Sequence, residues 1–197
     1  RLVKMDHPRR VALFGGTFDP VHLGHLAIAH SARMHLGLDQ VVFIPCRQSP
    51  HKAEPSLAGA ELRVEMLQLA LATDPWALVS EVELHLPTPS YSWVTAEAMS
   101  EIYPAARLFW LMGSDQWEVI DTWSRPEYLA SLVEFVVHDR EGKNRSRPGF
   151  QAHFIPGSHP ASAREIRASA PENLATTWLH PAVSELIRSR HLYGCQS

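Results

Sequence analysis

The sequence predicts an α/β protein in which a doubly wound, mostly parallel sheet carries helices on both faces. Two observations favour this class: short apolar runs alternate along the chain with segments of helical character, and glycines close the first run and follow the first helix. A chain of 197 residues is long enough to bury one sizeable core. We therefore interpret residues 1–197 as a single domain.

The first half of the chain holds two repeats of strand, turn and helix. The run RVALFGG at 10–16 predicts a strand closed by glycines, and HLAIAHSARMHLG at 25–37 predicts a helix with Gly at its end. VVFIP at 41–45 then predicts a second strand, and ELRVEMLQLALA at 61–72 a second helix. Residues 76–84 begin apolar and continue in alternation, so we expect a third strand there.

The second half continues the alternation around one polar loop. Further strands are predicted at 107–113, 133–139 and 153–156, with helices at 95–103 and 181–194. The breaker-rich stretch DREGKNRSRPGF, which follows the fifth strand, predicts an exposed loop. Strands and helices in this order predict a Rossmann-like fold, in which ligands bind at the carboxyl ends of the strands.

Composition narrows the function. The net charge is -3, so the chain lacks the basic excess that nucleic-acid binding favours. No apolar run approaches the roughly 20 residues that cross a bilayer, so no membrane partner is expected. Cys46 and Cys195 form no CxxC pair, which is typical of a reducing compartment, and we expect a cytoplasmic protein. The oligomeric state is not predicted.

The stretch GGTFDPVHLGHL at 15–26 carries the clearest chemical signal. Gly15 and Gly16 have no Cβ, so an anion can approach the backbone amides directly after the first strand. His22 and His25 fall around the first turn of the next helix, where unpaired N–H groups and the helix dipole favour negative charge. Gly24 keeps that turn open. A phosphate is the ligand that this arrangement predicts.

Two other interpretations compete for the same stretch. His22, His25, His30 and His35 could form a metal cluster, but their spacing does not place them all on one helix face and no nearby Cys or carboxylate completes a site. Alternatively, the glycines only make a turn and the histidines only cap a helix. The stretch matches neither the G-x-x-x-x-G-K-[ST] loop nor the G-x-G-x-x-G turn, so those mechanisms do not apply.

The whole string resembles the signature of the adenylyltransferase and cytidylyltransferase superfamily, in which G-T-F-D-P leads into H-x-G-H. SAREIR at 162–167 resembles the second half of that signature, a Ser-containing segment that ends in a basic residue. The resemblance implies contacts with ATP from Gly15, Gly16, Thr17, Phe18, His22, His25, Gly113, Asp115, Ser162, Ile166 and Arg167.

Four further segments resemble the nicotinate-nucleotide adenylyltransferase family: PCRQSPHK at 45–52, PSYSWVT at 89–95, GSDQWEVIDTW at 113–123 and the tail HPAVSELIRSRHLYG. That family transfers the adenylyl group of ATP to nicotinate mononucleotide in NAD biosynthesis. The resemblance implies that the mononucleotide contacts Ser92, Trp123 and Ser124, and that Mg²⁺ is held mainly by the ATP phosphates. The catalytic residues that it implies are His22, His25, Lys52 and Arg167.

The residues themselves agree with this chemistry. A phosphate monoester has its second pKa at about 6, so the attacking phosphate is largely a dianion at neutral pH and needs no strong general base. Trp123 offers a flat face for a pyridine ring, and Ser124-Arg125-Pro126 predicts a helix start whose amides could bind a carboxylate. Taken alone, Asp115 would sooner cap the next helix than bind a ribose. Core packing is predicted for the other tryptophans, which are Trp76, Trp93, Trp110, Trp117 and Trp178.

One position departs from the superfamily pattern. Relatives usually carry Ser or Thr two residues after Ser162, and this chain has Arg164. Its guanidinium either contacts the ATP phosphates, beside Arg167 on the same helix face, or turns to solvent. Two other functions stay open: an adenylyltransferase for nicotinamide mononucleotide or another phosphorylated acceptor, and a catalytically silent nucleotide-binding protein.

Overall fold

The computed structural model describes residues 8–50, 56–139, 142 and 145–196. Its central sheet contains six strands: β1 (Arg10–Gly16), β2 (Gln40–Pro45), β3 (Ala77–Val79), β4 (Arg107–Gly113), β5 (Glu134–Asp139) and β6 (Ala152–Pro156). The strand order is β3-β2-β1-β4-β5-β6, and every pairing between neighbours is parallel. The predicted Rossmann-like α/β class is confirmed.

Two apolar layers separate the sheet from its helices. The helices are α1 (Leu23–Leu36), α2 (Ala60–Leu71), α3 (Val82–His85), α4 (Ser92–Ile102), α5 (Ser114–Glu118), α6 (Pro126–Leu132), α7 (Ala163–Asn173) and α8 (Pro181–Ser189). Ala12 and Phe14 of β1 face the layer shared with α1, α2, α7 and α8. Leu13, between them, faces the other layer, shared with α4, α5 and α6. Because successive strand residues point to opposite faces, each strand supplies both layers.

The two central strands part before they end. β1 pairs with β4 only from Arg10–Arg107 to Leu13–Trp110. Beyond that point, β1 continues beside β2 as far as Gly16, and β4 continues beside β5 as far as Gly113. A split therefore opens at the carboxyl edge of the sheet, at the position where the strand order reverses and where open α/β sheets bind ligands.

The predicted strand at 76–84 is too long. β3 ends at Val79, and the last strand-like hydrogen bond to β2 runs from the Ser80 N–H to the Phe43 carbonyl. The Ser80 hydroxyl then accepts the Val82 N–H, and the chain turns into the short helix α3. An alternating apolar pattern over so few residues suits either structure, so the pattern could not distinguish them.

The predicted closing helix at 181–194 is also shorter than expected. α8 ends at Ser189, and residues Leu192–Gly194 form a separate 3-10 turn. His191 and Tyr193 have φ angles of 50° and 57°, which no α-helix contains. This 3-10 turn directs the Tyr193 side chain toward Asp19, in the turn that follows β1. The other helices lie close to where the sequence placed them, and α1 ends at a left-handed Gly37.

Core packing is confirmed for two of the five tryptophans to which it was assigned. Trp110 and Trp117 are buried, whereas Trp76, Trp93 and Trp178 are half-buried side chains at the margins of the two layers. The indole N–H finds a polar partner in both settings: half-buried Trp93 donates to the Ser124 hydroxyl and buried Trp117 to the Arg145 carbonyl. Within the described ranges, no helix is both long and apolar enough to cross a membrane.

Candidate active site

The turn after β1 is shaped by its own side chains. Phe18 adopts a left-handed backbone with φ of 50°, and its ring folds back so closely that a Cβ on Gly16 would lie 2.9 Å from it. A Cβ on Gly15 would lie 3.2 Å from the indole of Trp110. The two glycines thus make room for aromatic rings of the protein, which is a different use from the open approach to an anion that the sequence suggested.

His22 and His25 lie together at the start of α1, as predicted. His22 is the N-cap residue, and the two imidazole rings stack with their centroids 3.7 Å apart. The His22 N–H donates to Nδ1 of His25 across 3.2 Å, so a neutral His25 carries its proton on Nε2. A Cβ on Gly24 would lie 2.9 Å from the His22 ring, which explains the glycine between the histidines.

Asp19 connects the turn to two distant parts of the chain. Its buried carboxylate accepts the N–H groups of Leu57 and Ala58 at 2.8 and 3.2 Å, and the Tyr193 hydroxyl at 2.7 Å. Burial, and then the bond to Asp19, raises the pKa of Tyr193, so the hydroxyl stays a donor throughout the neutral range. The backbone carbonyl of Asp19 accepts a bond of 2.6 Å from the guanidinium of Arg167.

Arg63 lies underneath this turn, and sequence reasoning missed it. The side chain is 2% exposed although it belongs to α2. Its guanidinium donates to three backbone carbonyls, those of Thr17, Cys46 and Ala58, at 2.8, 2.8 and 3.3 Å. Arg63 therefore joins the ends of β1 and β2 to the segment that begins α2. Its spacing to Met66, Leu67 and Ala70 places it on the buried side of α2, but arginine is almost never fully buried unless it is paired, so its residue type gave no reason to expect burial.

The second signature segment begins α7. Ser162 is its N-cap and accepts the Glu165 N–H, as the expected helix start requires. Ile166 is buried and Arg167 is half-buried against Asp19, so Arg167 and the histidines of the first signature segment approach the same turn. Arg164, one turn away, is exposed. Its role stays open between the two alternatives.

Residues at the end of β4 occupy the expected edge of the sheet. Gly113 is the last residue of β4 and the N-cap of α5, and Asp115 is exposed in the first turn of that helix. Asp115 does not cap α5, so the capping interpretation of this residue is wrong. Its carboxylate is available to a ligand at the carboxyl edge of the sheet. Lys52 lies outside the described residues, so its predicted catalytic role has no structural description.

A cavity of about 470 Å³ adjoins this edge. Its volume is in the range of small-molecule sites. All three residues predicted to contact the mononucleotide line it, together with six others, which are Gln48, Ser49, Pro50, Pro89, Tyr91 and Thr122. These six residues were not singled out from the sequence, although each lies inside one of the segments that resemble the family, and membership of those segments is the signal that could have found them.

One segment of the chain connects the cavity to the turn after β1. The Cys46 N–H donates to the Gly16 carbonyl at 2.9 Å, and Gln48, two residues further on, lines the cavity. Trp123 is 7% exposed and lines the cavity, while its neighbour Ser124 accepts the indole N–H of Trp93 at 3.2 Å. The arrangement can hold a phosphorylated ligand at the histidines and an aromatic group in the cavity.

Comparison with known proteins identifies the family of this chain. The profile of the cytidylyltransferase-like family matches residues 13–173, so the fold and the site define a protein of that class. The probable nicotinate-nucleotide adenylyltransferase of Methylacidiphilum infernorum is 34% identical over 98% of this chain and 96% of its own length. The chain therefore belongs to the nicotinate-nucleotide adenylyltransferase family.

Solved structures resemble the fold over nearly the whole chain. The nicotinic acid mononucleotide adenylyltransferase of Plasmodium falciparum, complexed with APC, aligns with a TM-score of 0.76 over 95% of this chain and 98% of its own. The same protein complexed with NaAD aligns with a TM-score of 0.75 over the same shares. At 20% and 18% sequence identity, these two similarities concern the fold alone.

Proposed function

We propose that this protein transfers the adenylyl group of ATP to nicotinate mononucleotide, giving nicotinate adenine dinucleotide and pyrophosphate for NAD biosynthesis. The observation that carries the proposal is the pairing of two sites. A cavity lined by Trp123 adjoins, through the segment from Cys46 to Gln48, the turn at which His22 and His25 begin a helix. A mononucleotide and a triphosphate can thus be held side by side.

The cavity suits an anionic pyridine. Trp123 supplies a flat aromatic wall, on which a pyridine ring can stack, and the hydroxyls of Ser92 and Ser124 are polar partners at its rim. Next to Ser124, the guanidinium of Arg125 lies 4.6 Å from the ring centre of Trp93 and adds positive charge beside that rim. A nicotinate carboxylate gains from this charge, whereas the neutral amide of nicotinamide gains less.

The reaction needs donors more than it needs a base. A phosphate oxygen of the mononucleotide attacks the α-phosphorus of ATP, the bond to the bridging oxygen breaks, and that oxygen leaves with pyrophosphate. Charge develops on the leaving oxygens, where the Nε2–H of His25, the ring of His22 and the guanidinium of Arg167 would stabilise it. Lys52 is proposed for the same role on the sequence resemblance. These assignments stay predictions.

The ATP contacts proposed from the sequence follow the same edge of the sheet. Thr17 and Phe18 lie in the turn after β1, whereas Gly113 ends β4 and Asp115 follows it on the other side of the split. An adenosine ribose beside Asp115 would place the triphosphate toward the histidines. Ser162 and Ile166 position the start of α7 and, with it, Arg167.

Mg²⁺ is proposed to bind mainly through the phosphates of ATP. Among the described residues, no three His, Cys, Asp or Glu side chains come together as a metal cluster. Asp19 is the carboxylate nearest in sequence to the histidines, but Leu57, Ala58 and Tyr193 already donate to it. A phosphate-bound Mg²⁺ would neutralise part of the triphosphate charge. A cytoplasmic location is likewise proposed, and it is compatible with Cys46 and Cys195, which are not joined by a disulfide.

The test is pyrophosphate release from ATP with each mononucleotide in turn. We expect kcat/KM for nicotinate mononucleotide to exceed that for nicotinamide mononucleotide at least tenfold, because one charge-assisted contact contributes about 1.5–3 kcal/mol. A ratio near one, or a reversed ratio, would contradict the role given to the rim around Ser124. Absence of product with either acceptor would indicate a silent nucleotide-binding protein.

A further inference from the structure

A buried carboxyl stands behind the wall of the mononucleotide cavity. Glu83 belongs to the short helix α3 and is 4% exposed. Its Oε1 accepts the hydroxyl of Thr95, which is completely buried in α4, across 2.6 Å. Its Oε2 makes no hydrogen bond to any described residue. None of the sequence motifs includes Glu83, and the reaction proposed above does not use it.

The partners of Glu83 hold residues that line the cavity. The backbone N–H of Thr95 also donates to the Tyr91 carbonyl at 3.3 Å, and Tyr91 lines the cavity. Ser90, the second hydroxyl beside Glu83, exchanges two bonds with Gln48: the Ser90 N–H donates to the Gln48 carbonyl at 2.9 Å, and the Gln48 N–H donates to the Ser90 hydroxyl at 3.3 Å. Gln48 lines the cavity as well.

Stability alone does not account for this carboxyl. Burial raises the pKa of Glu83 to about 7, against the opposing effects of the Thr95 and Ser90 hydroxyls and of the Arg63 charge. A group whose charged form is disfavoured by its surroundings costs stability at neutral pH, and an apolar side chain at the same place would avoid that cost. The carboxyl does not line the cavity, but its hydrogen bond to Thr95 connects it to Tyr91, which does. This connection suggests a role in binding.

From this geometry we propose that Glu83 is a positioning residue for the mononucleotide. Its hydrogen bond to Thr95 fixes the start of α4 and, with it, Tyr91, while the neighbouring Ser90 holds Gln48 through its two bonds to that residue. The proposal rests on the proposed function for the identity of that substrate. The proposal gives Glu83 no contact with ATP. The turn after β1, at which ATP is proposed to bind, lies on the other side of the segment from Cys46 to Gln48.

The variants Glu83→Ala and Glu83→Gln test this role. Glutamine keeps a carbonyl that can accept the Thr95 hydroxyl, whereas alanine does not. We expect Glu83→Ala to raise KM for nicotinate mononucleotide about fivefold or more and KM for ATP less than twofold, with Glu83→Gln restoring most of the loss. Glu81→Ala, an exposed change two residues away, is the matched control and should change neither KM.

A second readout separates this proposal from the proposed function. Binding of nicotinate mononucleotide without ATP, followed by tryptophan fluorescence, should weaken in Glu83→Ala by the same factor as KM rises. If wild-type protein binds the mononucleotide but makes no dinucleotide, the function fails while the positioning role stands. If Glu83→Ala is folded and both KM values are unchanged, or rise together, the positioning role is wrong.

Thr95→Val keeps the proposal testable if Glu83→Ala does not fold. Valine matches the shape of threonine but has no hydroxyl, so it removes the bond to Oε1 with little change in volume. We expect Thr95→Val to raise KM for the mononucleotide selectively and Thr95→Ser to restore it. A Thr95→Val protein with wild-type KM values for both substrates would overturn the proposal.

Discussion

Replacing Tyr193 with Phe should measure how much the contact between the C-terminal 3-10 turn and the turn after β1 contributes to stability. The substitution removes only the hydroxyl that donates to Oδ1 of Asp19 at 2.7 Å, and the ring can keep its place. A hydrogen bond to a charged group contributes about 1.5–3 kcal/mol, so we expect the free energy of unfolding to fall by about 2 kcal/mol. Asp19 keeps the N–H donors of Leu57 and Ala58, which limits the loss.

The assay is chemical denaturation at pH 7, supported by thermal unfolding. A loss of about 2 kcal/mol corresponds to a decrease in Tm of roughly 4–8 °C for a chain of this size. Tyr103→Phe is the control: Tyr103 is a half-buried tyrosine at the C-cap of α4, just before β4 begins at the opposite edge of the sheet from the split. That variant should lose less than about 0.5 kcal/mol.

The outcome also tests the idea that the turn and the tail act together. If Tyr193→Phe and Tyr103→Phe lose the same small amount, the bond to Asp19 contributes nothing measurable and the reasoning fails. A loss much above 4 kcal/mol would equally contradict it, because one hydroxyl cannot supply that much and the ring would have to have moved.

Four further outcomes are expected. His22→Ala should lower kcat about a hundredfold with little loss of stability, because a donor aimed at developing charge contributes roughly 3 kcal/mol; near-normal turnover in a folded variant would exclude that role. Trp123→Ala should raise KM for the mononucleotide far more than KM for ATP, since stacking contributes about 1 kcal/mol or more; equal effects would indicate a purely structural tryptophan. The pKa of Glu83 is raised from 4.5 to about 7. The stability of the wild type relative to Glu83→Gln should therefore be highest below about pH 4.5 and fall by about 3 kcal/mol as the pH rises through 7. A stability difference between the two proteins that does not change with pH in denaturation experiments would contradict the shift. Arg164→Thr should weaken ATP binding and make its dependence on salt shallower, whereas unchanged affinity at every ionic strength would show that Arg164 faces solvent.

The sequence predicted those features that depend on local pattern. Apolar runs closed by glycine correspond to β1 and its turn, and the order of strands and helices was enough for the α/β class. The cavity residues Ser92 and Trp123 were also found, because each belongs to a segment that resembles a known family, and Ser124 was found because it precedes a predicted helix start. In these places, nearest neighbours along the chain carry the information.

Features that depend on contacts between distant residues were not predicted. The bond between Tyr193 and Asp19 spans 174 positions, and no periodicity indicates it. Arg63 lies on the same side of α2 as the buried Met66, Leu67 and Ala70, and only the three carbonyls around its guanidinium explain how a charged side chain is accommodated there. Glu83 was assigned to a strand because a short alternating run suits a strand and a helical turn equally well.

The early separation of β1 and β4 has a dynamic consequence. Only four residue pairs, from Arg10–Arg107 to Leu13–Trp110, join the half of the sheet that contains β1, β2 and β3 to the half that contains β4, β5 and β6. A small change of twist between these halves would widen or narrow the split without breaking any strand pairing. A nucleotide that bridges the split would restrict this change of twist. Amide hydrogen exchange should therefore slow at both residues 14–16 and residues 111–113 when ATP binds.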